Sequence, residues 1–142
     1  MNQKIYQPCI RSIIERKRGN AGKAVDLLAP VTQYPRVGIF YHSGQAYLAA
    51  GEPVKAAADF EKIIGNRGWP EWEVYAPMAQ LGLARADAMQ RDPEESRKAY
   101  DEFFTSWKDA DPDIAILRQA KAEYKKLRTT AFAAALASGK KQ

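Results

Sequence analysis

A pattern of turn, small residue and large residue occurs three times in this chain and limits the folds that it can adopt. In each copy a small residue follows the turn by five positions and a large residue comes four positions later. The copies are Gly19, Ala24 and Leu28; Gly51, Ala56 and Phe60; and Arg91, Ser96 and Tyr100. A spacing of four places two residues on one helix face. The pattern therefore predicts stacked helical hairpins that approach closely at the small residues.

Apolar residues recur at helical spacing along the 142 residues, and no run alternates as a half-buried strand would. Pro53, Pro93 and Pro112 suit first helical turns, with Asp92 and Asp111 as candidate N-caps. The predicted helices cover residues 3–18, 21–33, 37–50, 53–65, 71–90, 94–107 and 112–128. The small residues are 32 and then 40 positions apart, so residues 66–72 are interpreted as an insertion. We expect a single all-α domain.

The middle unit, residues 37–70, carries the clearest motif. Its first helix contains Phe40, Gly44 and Tyr47, and Gly51, Ala56 and Phe60 follow. In these residues the chain resembles a tetratricopeptide repeat (TPR) protein, a family of roughly 34-residue helical hairpins. The resemblance implies a right-handed superhelical stack over residues 1–128, with repeats at about 5–36, 37–70 and 77–110, a capping helix at 112–128, and a helix extension or flexible tail at 129–142.

Residues 84–86 and 103–113 are similar, more narrowly, to the C-terminal repeat region of bacterial multidomain proteins. In those proteins the repeats follow a serine/threonine kinase domain or a DNA-binding winged-helix domain. The resemblance implies that such a sibling domain is a candidate partner, and it leaves open whether this chain is a fragment. Four positions depart from the family. Glu15 and Asp87 stand where an aromatic residue is usual, Ser43 where leucine is usual, and Gly68 where the closing proline is usual.

The family binds partner peptides or helices in a concave groove lined by the first helix of each hairpin. Transferred to this sequence, the groove positions are mostly apolar, with Arg16, Lys17 and Arg85 as polar anchors. They are Tyr6, Cys9, Ile13, Arg16 and Lys17, then Tyr41, Gln45, Leu48 and Ala49, then Met78, Leu81, Arg85 and Met89. The resemblance implies a non-catalytic scaffold for an apolar or amphipathic partner segment. Alternatively, several of these residues pack against the N-terminal helix and leave no open groove.

Enzymatic chemistry finds little support in the sequence. Cys9 and His42 are the only residues of their kinds, so no disulfide and no cysteine-built zinc site is expected. The segment 19–23 lacks the spacing of a phosphate-binding loop, and no nucleophile-elbow motif is present. Trp69, Trp72 and Trp107 are interpreted as packing residues rather than a ligand cage. No catalytic residue, cofactor or metal is expected.

Charge and hydropathy leave two other functions open. Residues 1–36 carry a net charge of +5, residues 37–117 of −6 and residues 118–142 of +6. Basic ends can bind nucleic acid, but no nucleic-acid-binding motif accompanies them, so this reading is disfavoured. The apolar stretch 131–136 instead suggests homo-oligomerisation through the C-terminal helix. No apolar run nears the roughly 18 residues that span a membrane, and the N-terminus has no signal-peptide pattern, so a cytoplasmic protein is expected.

Overall fold

The computed structural model describes residues 3–139, in which helices are joined by turns and loops and no strand occurs. Residues 1–2 and 140–142, including the basic end of the expected tail, lie outside the described residues. The helices are α1 (Gln3–Lys17), α2 (Ala21–Leu28), α3 (Val37–Ala49), α4 (Pro53–Gly65), α5 (Trp72–Met89), α6 (Pro93–Ser106) and α7 (Ala115–Gly139), with a short 3₁₀ turn at Ala29–Val31. The all-α prediction is confirmed. None of these helices combines the length and apolarity needed to cross a membrane.

Three equivalent turns join the helices of the successive hairpins. Gly19, Gly51 and Arg91 each adopt a positive φ immediately after a helix ends. At the second turn the Gly51 amide donates to the carbonyl of Leu48, and the following amide, that of Glu52, donates to the carbonyl of Tyr47. The first and third turns have the same pair of bonds. This arrangement is a Schellman motif, which satisfies the last carbonyls of a helix.

Helix starts follow the proline signals at two of the three predicted places. Pro53 and Pro93 begin α4 and α6, where a missing amide proton costs nothing, and Asp92 accepts a hydrogen bond from the amide of Glu95. The predicted start at Pro112 is wrong, because α7 begins at Ala115. The carboxylate of Asp111 closes a local turn by accepting from the Asp113 amide at 2.9 Å, so it is not a helix cap.

The predicted close-contact residues are buried in equivalent places. Ala24, Ala56 and Ser96 are each 0% exposed. In the first hairpin the Ser12 hydroxyl donates to the Ala24 carbonyl at 2.9 Å. In the third hairpin the direction is reversed, since the Ser96 hydroxyl donates to the Ala84 carbonyl at 2.7 Å. Both pairs are 12 residues apart, and the same separation relates Gly44 to Ala56 in the second hairpin.

The hairpins pack side by side in two layers. Helix α1 contacts α3, and α3 contacts α5, so these first helices form one continuous layer. The second helices α2 and α4 lie between first helices, α6 lies between α5 and α7, and these three helices barely touch one another. Helix α3 carries no charged residue and is the central element, as expected for a helix packed on several sides. Leu117 and Ala120 of α7 extend the core beyond the third hairpin.

Candidate functional site

An open cleft of about 680 Å³ lies in the layer of first helices, at the end where α3 and α5 begin. Helix α1 forms one wall with Ile5, Tyr6, Cys9, Ile10 and Ile13. The residues preceding and opening α3 form the floor, among them Pro35, Val37 and Gly38, together with His42 one turn further along. Most of these side chains are apolar. Tyr6 and Ile10 are 40% and 57% exposed, so part of this apolar surface faces solvent.

The insertion at residues 66–72 builds the opposite wall of the cleft. It contributes Trp69, Pro70 and Glu71, and Tyr75 follows from the first turn of α5. Two tryptophans hold the segment in place. The Trp69 ring stacks on Phe40 with centroids 5.7 Å apart, and the indole N–H of Trp72 donates to the Ile63 carbonyl at 2.8 Å. The wall is therefore anchored to α3 and α4.

Glu71 adopts a left-handed backbone conformation at the rim, with φ of 65°. This conformation has a free-energy cost for every residue other than glycine, because the Cβ atom is crowded by the backbone. Residues that adopt it concentrate at binding and catalytic sites. Here the conformation turns the chain from the inserted segment into α5, because the Glu71 carbonyl accepts from the amides of Val74 and Tyr75 at the start of that helix. The strained residue thus sets the direction in which the wall enters the fold.

Burial favours the uncharged forms of three titratable groups in the cleft, Cys9, His42 and Tyr75. Burial raises the pKa of the Cys9 thiol. Burial, with a smaller contribution from Glu71, also raises the pKa of the Tyr75 phenol. Burial and then the nearby Arg16 guanidinium lower the pKa of His42. Arg36 and Glu71 are the charged residues of the lining. The Nδ1 atom of His42 is buried and has no hydrogen-bond partner within residues 3–139.

The structure places only part of the expected groove in this cleft. Ile13 lines it, together with Tyr6 and Cys9. Four other predicted groove residues instead form a half-buried polar cluster between the first helices. They are Arg16, Tyr41, Gln45 and Arg85. Burial raises the pKa of the Tyr41 phenol, and the two arginines and a hydrogen bond with Gln45 act in the opposite direction. The Tyr41 ring contacts Tyr75 at 5.3 Å between centroids, which links this cluster to the cleft wall.

Arg85 is not the free anchor that the sequence suggested. Its Nε donates to the carboxylate of Glu123 in α7 at 3.0 Å, and the Tyr100 hydroxyl donates to the same oxygen at 2.9 Å. A guanidinium already paired within the chain gains less from an acidic partner, because the existing bond must first be broken. Helix α7 therefore occupies the C-terminal end of the expected groove.

The remaining predicted groove residues lie away from the cleft. Leu81 is 1% exposed and packs in the core with Tyr100 and Phe103, so its assignment to a binding surface is wrong. Lys17 and Met89 are exposed at the ends of α1 and α5, whereas Leu48 and Met78 are half-buried within the layer. Ala49 is exposed at the end of α3.

Sequence reasoning missed the floor and the far wall, including Pro35, Gly38, Trp69, Pro70 and Tyr75. One signal could have found the wall. The spacing between hairpins lengthens from 32 to 40 residues at the inserted segment, and extra length in a repeat maps to loops that often form a binding face.

A comparison with models of known protein families finds no match, and no curated protein matches the chain. No cluster of three or more histidine, cysteine or acidic residues in the described part of the chain is arranged to hold a metal ion. The cleft itself is therefore the feature of the molecule that points to a function.

Proposed function

We propose that this protein is a non-catalytic interaction module that binds an apolar or amphipathic segment of a partner protein in the cleft between α1, α3 and the inserted segment. One observation carries the proposal: the cleft is open and mostly apolar, and its two charged lining residues, Arg36 and Glu71, are exposed to solvent. Its volume of about 680 Å³ lies within the range typical of ligand sites. A charged group placed against the apolar walls would lose hydration without gaining a partner for its charge.

Anchoring of the inserted wall supports this function. A surface that is already ordered before binding loses little conformational entropy when the partner arrives. The stacking of Trp69 on Phe40 and the bond from Trp72 to Ile63 provide that order. The strained Glu71 at the rim also agrees with a segment that is retained for binding rather than for stability.

The three hairpins are proposed to form a TPR-type right-handed superhelix. Two observations support this arrangement. The first helices contact one another while the second helices barely do, as in a curved stack whose inner layer is the denser one. The small-residue pairs recur with the same separation of 12 in all three hairpins. A crystal structure tests it, because one repeated rotation must superpose each hairpin on the next.

The resemblance to bacterial multidomain proteins suggests where a partner segment would come from. A kinase or winged-helix domain linked to these repeats would present such a segment at high effective concentration. Fusing the chain to either domain and measuring the affinity of the cleft for a free peptide would test this origin, because a linked occupant must weaken the binding of the free peptide.

Cys9 provides a direct probe of cleft occupancy, because it is the only cysteine and lines the cleft. Peptides are first selected on the full chain from a random displayed library. Each selected peptide is then titrated while the rate of Cys9 alkylation by a maleimide is followed. We expect apolar peptides to slow the alkylation at least tenfold at saturation.

Two substitutions distinguish binding in the cleft from non-specific binding of peptides to the protein surface. Ile10→Glu places a charge on the exposed wall of the cleft and is expected to abolish binding of the selected peptides. Val54→Glu is the matched control, because Val54 is 68% exposed on α4 and lies outside the cleft lining. Peptides that bind both variants equally, or that leave Cys9 fully reactive, would exclude the cleft as the binding site.

A further inference from the structure

Helix α7 continues well past the body of the protein. Its contacts with the third hairpin come from residues up to Leu127. Beyond that point the described side chains, among them Thr129, Ala133 and Leu136, are exposed to solvent. Residues 129–139 form eleven residues of helix, a length of about 16 Å at 1.5 Å per residue. Helices in proteins gain most of their stability from packing, which the described side chains of this stretch lack.

The chemistry of this helical extension matches the cleft. Residues 129–139 contain no charged residue, and residues 131–136 are entirely apolar. Ala133, Leu136 and Ala137 lie on one helix face by their spacing of three and four. Small residues on such a face allow close approach, and Leu136, which is 52% exposed, supplies a bulky anchor. Anchors at this spacing are typical of helices that bind in apolar grooves.

The distribution of charge in the helical extension and in the cleft favours binding between these two surfaces over binding of a charged partner. The extension is flanked by Arg128 on one side and Lys140 on the other, so its neutral stretch has cationic ends. The cleft likewise has neutral Cys9 and Tyr75 inside, and its charged lining residues, Arg36 and Glu71, are exposed to solvent. Docking the neutral stretch against the apolar walls therefore buries no charge.

A second copy of the chain must supply the helix. Helix α7 packs on α5 and α6, whereas the cleft lies beside α1 at the opposite end of the stack. The extension continues as a helix through Gly139 without turning back. We propose that the C-terminal extension of one copy, residues 129–139, binds in the cleft of another copy. This inference rests on the proposed function of the cleft and names its partner.

Disulfide trapping in the full chain tests the contact directly. Three variants, Ala133→Cys, Leu136→Cys and Ala137→Cys, each add one thiol that pairs with native Cys9 of another copy when diamide accepts the two electrons and two protons. A disulfide needs Cα atoms about 4.4–6.8 Å apart. We expect at least one variant to form covalent dimers in high yield, with the Cys9 peptide linked to the new cysteine in a proteolytic digest.

The control Val54→Cys places a thiol on an exposed position outside both surfaces and must remain monomeric under the same conditions. Adding Ile10→Glu to the reactive variant should reduce the yield at least tenfold, while sedimentation should show that Leu136→Glu weakens self-association of the chain. Absence of the Cys9 linkage in all three variants, or linkage between two introduced cysteines only, would overturn the inference. Selected peptides that still protect Cys9 in that case would leave the proposed function standing.

Discussion

The aromatic ring of Phe60 occupies the space into which a side chain on Gly82 would project. A Cβ atom on Gly44 would also lie 2.7 Å from this ring, so α4 inserts Phe60 between α3 and α5 where both helices lack a side chain. Phe60 is 0% exposed. The second hairpin therefore joins the third through one ring and two glycines, and this contact sets how closely the first helices that carry the cleft can approach.

Gly82→Ala is expected to lower the free energy of unfolding by about 1–3 kcal/mol, because the added methyl group overpacks a buried ring. Gly22→Ala is the matched control. A Cβ at Gly22 meets nothing within 4 Å, and alanine is favoured in helices by about 1 kcal/mol. Urea unfolding measures both changes. In a Phe60→Leu background the loss at Gly82 should shrink, and an equal loss in both backgrounds would contradict this contact.

Arg91→Gly is expected to stabilise the protein by about 0.5–1 kcal/mol. Arg91 has φ of 61° in the turn where the other hairpins have Gly19 and Gly51. Glycine removes a steric cost of about 1–2 kcal/mol, and its greater freedom in the unfolded chain takes back about half of that gain. Chemical denaturation measures the change. Gly51→Ala should show the opposite sign, and a loss of stability in Arg91→Gly would refute the equivalence of the turns.

Glu123→Gln is expected to loosen α7, with a cost of about 1–3 kcal/mol, because Arg85 and Tyr100 both donate to the carboxylate. A specific readout is the Tyr100 phenol. Burial first, and then the bond to Glu123, raise the pKa of Tyr100. The substitution should therefore lower that pKa in an NMR titration of the ring. An unchanged Tyr100 pKa would show that the carboxylate does not hold the hydroxyl in solution.

The turns and packing points could be predicted because neighbouring residues determine them. Gly51 permits the left-handed turn, and Asp92 with Pro93 specifies a helix start, all within a few positions of one another. The same local reasoning misplaced the start of α7, since the Asp111 side chain can close a turn as readily as it can cap a helix. Neighbouring residues alone can distinguish a helix cap from a turn only when steric clashes exclude one of the two.

The cleft and the end of the groove depend on contacts between distant residues, which no local pattern specifies. Arg85 and Glu123 are 38 positions apart, and only the packing of α7 brings them together. Leu81 was assigned to the groove because the family position faces a partner, yet α7 and α6 cover it here. The inserted wall was visible as extra length, but the stacking of Trp69 on Phe40 that turns it toward α1 was not.

Asp87→Asn is expected to stabilise the protein above pH 6 and to have no effect near pH 4. Burial, followed by repulsion from Asp92, Glu61 and Glu95, raises the pKa of Asp87 to about 6. The native state then binds more protons than the unfolded state between about pH 4 and 6, so stability falls as pH rises through this range. The asparagine variant should lack that decrease, and urea unfolding at several pH values measures the difference.

The size of this effect follows from the exposure of the carboxyl. A rise of the Asp87 pKa from 3.8 to about 6 corresponds to nearly 3 kcal/mol at about 1.4 kcal/mol per unit, but Asp87 is partly exposed, and solvent screening reduces the expected gain to about 1 kcal/mol.

Glu15 occupies the equivalent position in the first hairpin and is held by Asn20 at 2.7 Å and Lys23 at 3.4 Å. Its pKa is lowered, first by the bond from Asn20, so Glu15→Gln should destabilise the protein at neutral pH. A gain from both substitutions would contradict this difference between the two hairpins.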